Sequence, residues 1–491
     1  MTIQITNLTF SYPGSGENVF EDVSFQIDTT WKTGLIGRNG RGKTTLLRLL
    51  KGDFEGEYGG RISRVSQIDY FPCEVRDTRL TLAEVLLELS GAEEWRIFKE
   101  LSLLKVADEA LCRPFFSLSG GEQTKALLAA MFLREGHFLL LDEPTNHLDE
   151  ESKKAIGEYL RRKEGFLLVS HDRELLDLCT DHILSLHRGG IEIQSGNFSS
   201  WKENAERREA FEREKNDRLR SEIKRLKESA RRTADWSEKT EAGKYGARNS
   251  GLRVDRGYVG HKAAKMMKAS KVIESRQNKA LEEKSTLLKN VEEKEILKIR
   301  PLEFYTDRLL EVKALQAYYG EKPACPEVTF SLFRGDRAAL NGKNGCGKSS
   351  LLKAILGESA YRGELRKPPQ LKISYVAQDS GSLAGSFGEY ARAYGIDESL
   401  FKAVLHKFGF EKKDFSTDLS SLSAGQKKKT ALARSLCESA HLYIWDEPLN
   451  FIDVLSRIQI EELILDFRPT LLFVEHDGAF RRRVANRVIE L

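Results

Sequence analysis

Short apolar runs alternate with stretches whose apolar positions recur every three or four residues, at both ends of the chain. Residues 32–36 and 138–141 read as buried strands, and residues 45–50 as the helix after the first. Residues 336–340, 442–445 and 470–474 play the matching strand parts later in the chain. Strand, loop and helix in alternation predict an α/β fold in each half. Between the halves the pattern changes. Leu219, Ile223, Leu226 and Ala230 recur at three- and four-residue steps, and Met266, Ile273, Ala280 and Leu287 at seven. Two long amphipathic helices are expected there, able to pair as an antiparallel hairpin. Gly243, Gly246, Gly251, Gly257 and Gly260 interrupt them, which puts a loop near 238–262. A helix of about forty residues would hold that loop ~60 Å from its base. The expected division is 1–198, a helical linker at 199–302, and 303–491.

The two halves also repeat a motif. Gly37-Arg38-Asn39-Gly40-Arg41-Gly42-Lys43-Thr44-Thr45 follows the first strand, and Gly342-Lys343-Asn344-Gly345-Cys346-Gly347-Lys348-Ser349-Ser350 its counterpart, with the lysines 305 residues apart. Glycines at this spacing let backbone N–H groups turn towards phosphates, and the lysine reaches the outer ones. The hydroxyl of Thr44 or Ser349 is then placed to hold Mg²⁺. Each copy is followed by an apolar strand ending in an acidic pair, Asp142-Glu143 and Asp446-Glu447, 99 and 98 residues past the lysines to the aspartate. Such a pair can serve as surface decoration. After an apolar strand at matched spacing it resembles the Walker B pair of phosphate-loop ATPases, and that resemblance implies an aspartate supporting the metal and a glutamate polarising the attacking water. The repeat is far too long for a solenoid and indicates two homologous domains.

Composition narrows the partners. Six cysteines are scattered without metal or disulfide spacing, which fits a reducing, cytoplasmic setting. The N-terminal MTIQITNLTF shows no signal peptide, and no run approaches the roughly 18 apolar residues of a membrane span. Residues 198–300 hold 28 Lys and Arg against 18 Asp and Glu, so with a net charge of +4 overall the flanking halves are mildly acidic. From Lys239 to Lys279 there are 11 basic residues against Glu241, Asp255 and Glu274. Charged helices are often only solvated, but a glycine-rich loop with tyrosines among its cations resembles a nucleic-acid contact surface. Lys244, Arg248, Arg253, Arg256 and Tyr258 are the candidates there for RNA contact. Met266 and Met267 fit packing between helices better.

Leu118-Ser119-Gly120-Gly121-Glu122-Gln123 resembles the signature of ATP-binding-cassette proteins, and Leu422-Ser423-Ala424-Gly425-Gln426 is its second copy. The resemblance implies that Ser119, Gly120 and Gly121, and Ser423 and Gly425, contact ATP held by the opposite cassette. It makes Gln67 and Gln378 the Q-loop residues touching metal and water, and His171 and His476 the γ-phosphate switches. Asp149 and Asp453 fall in its D-loops, and Tyr12 and Tyr319 become candidates for stacking on adenine. Alanine at 424, and Asn450-Phe451-Ile452-Asp453 in place of Asn146-His147-Leu148-Asp149, mark the two sites as unequal.

Two fused cassettes with a charged helical linker resemble the ABC-F translation factors over essentially the whole chain. Housekeeping members often carry an arm between Q-loop and signature. Here Gln67 to Ser119 is 52 residues and Gln378 to Ser423 is 45, leaving little room, and the chain ends 15 residues after His476. This lean form looks like the antibiotic-resistance branch, in particular its Lsa-like group active against lincosamides, streptogramin A and pleuromutilins. The resemblance implies a monomer with paired cassettes that binds the bacterial ribosome from the E site, touching 23S rRNA and P-site tRNA but neither membrane nor DNA. ATP and Mg²⁺ are the implied cofactors.

Overall fold

The computed structural model describes residues 2–13, 18–53, 57–64, 67–146, 148–187, 190–242, 301–343, 345–379, 381 and 383–491. Contacts gather Met1–Trp201 with Leu297–Leu491 into one compact unit and Lys202–Ile296 into another.

Strand β1 (Thr2–Phe10) buries Ile3, Ile5, Leu8 and Phe10 and turns the residues between them outward, as a half-covered antiparallel strand should. It lies between β2 (Phe20–Asp28) and β4 (Gly59–Ser63) in a three-stranded sheet. Strand β3 (Lys32–Gly37) instead buries nearly every residue, because it runs inside a sheet covered on both faces. That sheet is ordered β5-β6-β7-β3-β8-β9. Its other members are β5 (Gln67–Phe71), β6 (His137–Asp142), β7 (Phe166–Val169), β8 (His182–His187) and β9 (Gly190–Ser195), and only β9 is antiparallel to its neighbour. The helices of this half are α1 (Lys43–Lys51), α2 (Leu82–Ser90), α3 (Glu94–Leu103), α4 (Gly120–Phe132), α5 (Glu150–Arg161) and α6 (Arg173–Cys179).

The later half repeats this plan. Strands β10 (Arg308–Tyr319), β11 (Lys322–Pro323), β12 (Val328–Phe333) and β14 (Tyr361–Arg366) form the antiparallel sheet. Strands β15 (Ile373–Val376), β16 (Leu442–Asp446), β17 (Leu471–Val474), β13 (Arg337–Asn341) and β18 (Arg487–Glu490) form a parallel one in that order. Its helices are α8 (Lys348–Leu356), α9 (Phe387–Ala393), α10 (Glu398–Lys407), α11 (Ala424–Cys437), α12 (Val454–Phe467) and α13 (Gly478–Val484). Phe387, Phe401, Leu432 and Leu436 pack with Tyr443 and Trp445 of β16 in one buried cluster. Each such side chain contributes about 1.5–3 kcal/mol. The cluster clamps α11, and therefore Ser423 at its start, against the strand that carries Asp446.

Between the halves, α7 (Phe198–Ala242) is one continuous helix of 45 residues. It runs past the loop start expected at 238, because the first helix breaker in the segment is Gly243. The rest of the expected loop, the second helix and Lys244, Arg248, Arg253, Arg256 and Tyr258 lie outside the described residues. No helix among the described residues is long and apolar enough to cross a membrane.

Both phosphate-loop helices begin on glycines in the left-handed region, Gly42 at φ 85° and Gly347 at φ 93°. At Gly347 a Cβ would sit 1.9 Å from the Ala324 carbonyl oxygen, whereas at Gly345, also left-handed, it would meet open space. Gly345→Ala should therefore cost only the left-handed penalty of about 1–2 kcal/mol. Gly347→Ala should cost clearly more, or abolish folding. Thermal denaturation of the two variants side by side checks this, and equal losses would refute the steric account.

Candidate nucleotide sites

Each phosphate loop emerges from an interior parallel strand of its sheet, β3 or β13, and feeds a helix N-terminus, where backbone N–H groups are free to meet an anion. Lys43 Nζ donates to the carbonyls of Gly37 at 2.8 Å and Arg38 at 3.3 Å and to Asn39 Oδ1 at 3.3 Å. Lys348 Nζ donates to the carbonyls of Gly342 at 2.7 Å and Lys343 at 2.9 Å. Each lysine thus closes its own loop. Asp142 Oδ2 accepts Thr44 Oγ1 at 3.2 Å and the Tyr70 hydroxyl at 2.8 Å. Asp446 is bonded by the Ser349 side chain, yet among the described residues its buried Oδ1 has no hydrogen-bond partner. A buried carboxylate oxygen in that state is rare in a protein interior and fits a metal-ligating role. Tyr12 is joined to the phosphate-loop helix through its hydroxyl and Thr45 Oγ1, 2.7 Å apart. Tyr319 ends β10 and is 71% exposed. Asn344 and His147 lie outside the described residues.

Glu143 and Glu447 both occupy the left-handed region, at φ 51° and 45°. Non-glycine residues rarely sit there, and local strain of this kind gathers at functional positions. Each is next to its histidine: His171 Nε2 lies 3.2 Å from Glu143 Oε1, and His476 Nε2 lies 3.5 Å from Glu447 Oε1. Their surroundings differ. Glu447 Oε2 accepts the side-chain amides of Gln378 at 2.9 Å and Asn450 at 2.6 Å. Burial pushes its carboxyl up, but the hydrogen bond and charge of His476 with those amides outweigh burial and bring it down to about 2. Glu143 accepts the backbone N–H of His171 at 3.3 Å, and among the described residues its buried Oε1 has no hydrogen-bond partner. Burial therefore pushes its carboxyl well up, only partly opposed by the charge of Arg457. Burial, then the charges of Lys43 and Arg457, hold His171 well below the usual imidazole value.

The signature serines are helix caps. Ser119 and Ser423 each accept the backbone N–H three residues on, and Glu122 and Gln426 reach back to the serine N–H. That is a capping box, so the motif also has an ordinary helix-starting role. What sets the second copy apart is its neighbour from the other half. Asn39 Nδ2 donates to the Phe451 carbonyl at 2.6 Å, and the Asn39 N–H to Asp453 Oδ2 at 3.2 Å. Gly425 lies against the same pair: a Cβ there would be 2.5 Å from the Phe451 carbonyl and 2.6 Å from Asn39 Nδ2. The first phosphate loop thus docks on the second signature and D-loop. Elsewhere on the seam, Arg173 binds the fully buried Glu461, and Arg481 and Arg482 bind Glu150 and Glu174. Among the described residues no hydrogen bond joins Ser119 to the second phosphate loop.

One sequence assignment is corrected. Gln67 stands at the start of β5, paired in register with His137 at the start of β6, far along the strand from Asp142. Phe71 pairs with Leu141, and Val376 with Trp445, each the residue before the strand-ending aspartate. Two positions later stand Cys73 and Gln378, so the counterpart of Gln378 is Cys73. Selecting by residue identity picked the nearest glutamine; spacing would have found the position, since Cys73 and Gln378 each lie 30 residues past their lysines. Measured from Cys73, the stretch to Ser119 is 46 residues against 45. Sequence reasoning also missed Lys428 and Lys429. Lys429 Nζ donates to Asp453 Oδ2 at 2.8 Å and the Phe408 carbonyl at 3.0 Å. Its only sequence signal was a cationic run inside an otherwise buried helix.

Two nucleotide-loop domains of this topology, the first loop closed by the signature of the other, define ATP-binding-cassette ATPases. Residues 20–146 and 325–450 match the family described as ABC transporter, and the chain belongs to that family. Relatives that match over the whole chain include proteins named ABC transporter F family members. The Ribosome protection protein VmlR of Bacillus subtilis is 29% identical over 502 residues, covering 99% of this chain and 85% of the relative. The Energy-dependent translational throttle protein EttA of Escherichia coli is 27% identical over 528 residues, covering 96% and 89%. The archaeal ribosome recycling factor aABCE1, solved with the ribosomal stalk protein aP1, has the same fold at 18% identity. Its TM-score is 0.58, over 94% of this chain and 84% of that one. The chain is an ATPase.

Asp453 supplies a test of the docked seam. Burial raises its carboxyl, but the charge and hydrogen bond of Lys429 and the charge of Lys43 outweigh burial and hold it below the ordinary value of 3.8. A depressed carboxyl stabilises the fold above its unfolded value, and that contribution is lost as pH falls through the folded value. Asp453→Asn should cost about 3–5 kcal/mol at pH 7 by stranding Lys429. The variant should also lose part of the wild-type's fall in Tm between about pH 5 and pH 3. Parallel acid shifts in Tm for both proteins would refute this.

Proposed function

We propose that this ATPase binds the bacterial ribosome in its ATP-closed form, extends its basic linker towards the peptidyl-transferase centre, and relieves inhibition by antibiotics bound there. Hydrolysis then releases it. The observation that carries the reading is the first phosphate loop seated on the other half's D-loop through Asn39, Phe451 and Asp453. A site completed across the seam lets nucleotide set how the two halves meet. The linker at 199–302 joins those halves and carries the basic surplus, so closure has a cationic element to present. Phosphate contacts by Lys and Arg would supply affinity for 23S rRNA and P-site tRNA from the E site. Lys244, Arg248, Arg253, Arg256 and Tyr258 are the residues to examine first there.

In the sites themselves, Glu143 and Glu447 would polarise water, with His171 and His476 sensing the outer phosphate. Tyr12 and Tyr319 would flank adenine, and the two phosphate loops and signatures would cradle the phosphates. Mg²⁺ would be held by Thr44 and Asp142 in one site and by Ser349, Asp446 and Gln378 in the other, and the unpartnered Asp446 Oδ1 fits that role. Bound there, the ion supplies neutralisation of phosphate charge.

The resistance reading, and within it the Lsa-like group, is supported by the lean first cassette. Between β5 and α4 lie α2 and α3, matching α9 and α10 in the second cassette, with no further α-helix. A housekeeping translation factor is the second reading, favoured by the similarity to EttA over 96% of the chain.

The double variant Glu143→Gln with Glu447→Gln should lose ATP turnover and co-sediment with ribosomes in the presence of ATP. Undiminished turnover would sink the assignment of the glutamates, and a nucleotide-loaded variant that stays off ribosomes would sink the partner. Expression in a susceptible host should raise tolerance to lincosamides, streptogramin A or pleuromutilins several-fold. Unchanged tolerance with altered growth would favour the second reading.

A further inference from the structure

The two glutamates are supported differently, and the difference traces to two positions. In the second cassette the side-chain amide of Gln378 donates to Glu447 Oε2 at 2.9 Å. The loop carrying Gln378 is itself tied down from beneath. Lys428 Nζ donates to the carbonyls of Ala377 at 2.7 Å, Gln378 at 3.0 Å and Asp446 at 3.3 Å. Lys428 is 2% exposed, and its three ammonium donors meet three backbone acceptors. One buried cation therefore joins the signature helix α11, the loop after β15 and the end of β16.

The first cassette has neither part. Strand register puts Cys73 where Gln378 stands. Lys428 is five residues past Ser423, and five past Ser119 stands Thr124. A thiol is a shorter group and a weak donor, and threonine brings no cation. Consistent with that, Glu143 accepts the His171 backbone N–H, and its buried Oε1, 3.2 Å from His171 Nε2, makes no hydrogen bond among the described residues. Gly425 and Ala424 of the second signature serve this same first site, so the alanine substitution and the missing amide fall together.

We propose that Gln378 and Lys428 are positioning residues for Glu447, that Cys73 and Thr124 withhold the same support from Glu143, and that hydrolysis runs faster at the Glu447 site. The Glu143 site then holds its nucleotide longer and acts as the slower half of the clamp. A well-oriented carboxylate matters because small misplacements of a reacting group cost orders of magnitude in rate. The inference concerns ATP turnover alone and stands whatever partner the protein has.

The test uses the full chain with one site disabled at a time. With ATP saturating, Glu447→Gln should turn over at least about tenfold more slowly than Glu143→Gln. In the Glu143→Gln background, Gln378→Cys should lower kcat about tenfold while KM for ATP stays within about twofold, the mark of lost positioning and not of lost binding. Lys428→Met should act in the same direction, and Lys428→Arg should recover part of the loss. In the Glu447→Gln background, Cys73→Gln should raise kcat. Equal turnover in the two glutamate variants would overturn the proposal, as would a Gln378→Cys effect confined to KM. Should Lys428→Met fail to fold, the exposed Gln378 and half-buried Cys73 still decide it.

Discussion

The Asp453 carboxylate is the constraint on which the paired arrangement rests. It is fully buried, and its two oxygens serve three elements at once. They cap α12 through the Ser456 N–H and hydroxyl, receive Lys429 from the signature helix, and accept the Asn39 N–H of the opposite phosphate loop. A charge out of water is tolerated only when paired and hydrogen-bonded, so these contacts hold one another in place. Loss of any one leaves a buried ion short of partners. The seam is therefore specified by local chemistry, with Arg173 on Glu461 adding a second buried pair elsewhere along it.

From that docking follows the inequality of the two sites. The first phosphate loop is engaged by the second cassette's D-loop, while the strained glutamate beside it accepts, among the described residues, a backbone N–H and no side-chain amide, with His171 Nε2 alongside. The second site has the fuller set of donors around Glu447 and, among the described residues, no bond from Ser119 across the seam. Two homologous halves thus differ in what their shared residues touch. The positive φ at both glutamates is common to the halves; the amides and cation around one of them are not.

Much of this was legible in the chain because it depends on local rules. The phosphate loops, the strands ending in Asp142 and Asp446, and the helices after them follow from glycine placement and apolar periodicity. The Q-loop position was harder, since a glutamine at 67 has the right identity and only register shows that it sits at the wrong end of β5. The loop expected near 238 begins no earlier than 243, because Glu238 to Ala242 hold three charges and no helix breaker and suit helix as readily as loop. Lys428 and Lys429 looked like a solvated charge run, and burial by α10 and β16 turned them into internal ties.

By itself the sequence determined two nucleotide-binding halves, their order, and a basic helical segment between them, because spacing and periodicity along one chain specify strand, loop and helix. Only the tertiary structure decided that Cys73 is the partner position of Gln378, that Asp453 meets Asn39, and that the two glutamates are unequally held. Those facts depend on strand register and on contacts between residues hundreds of positions apart. No local pattern encodes either.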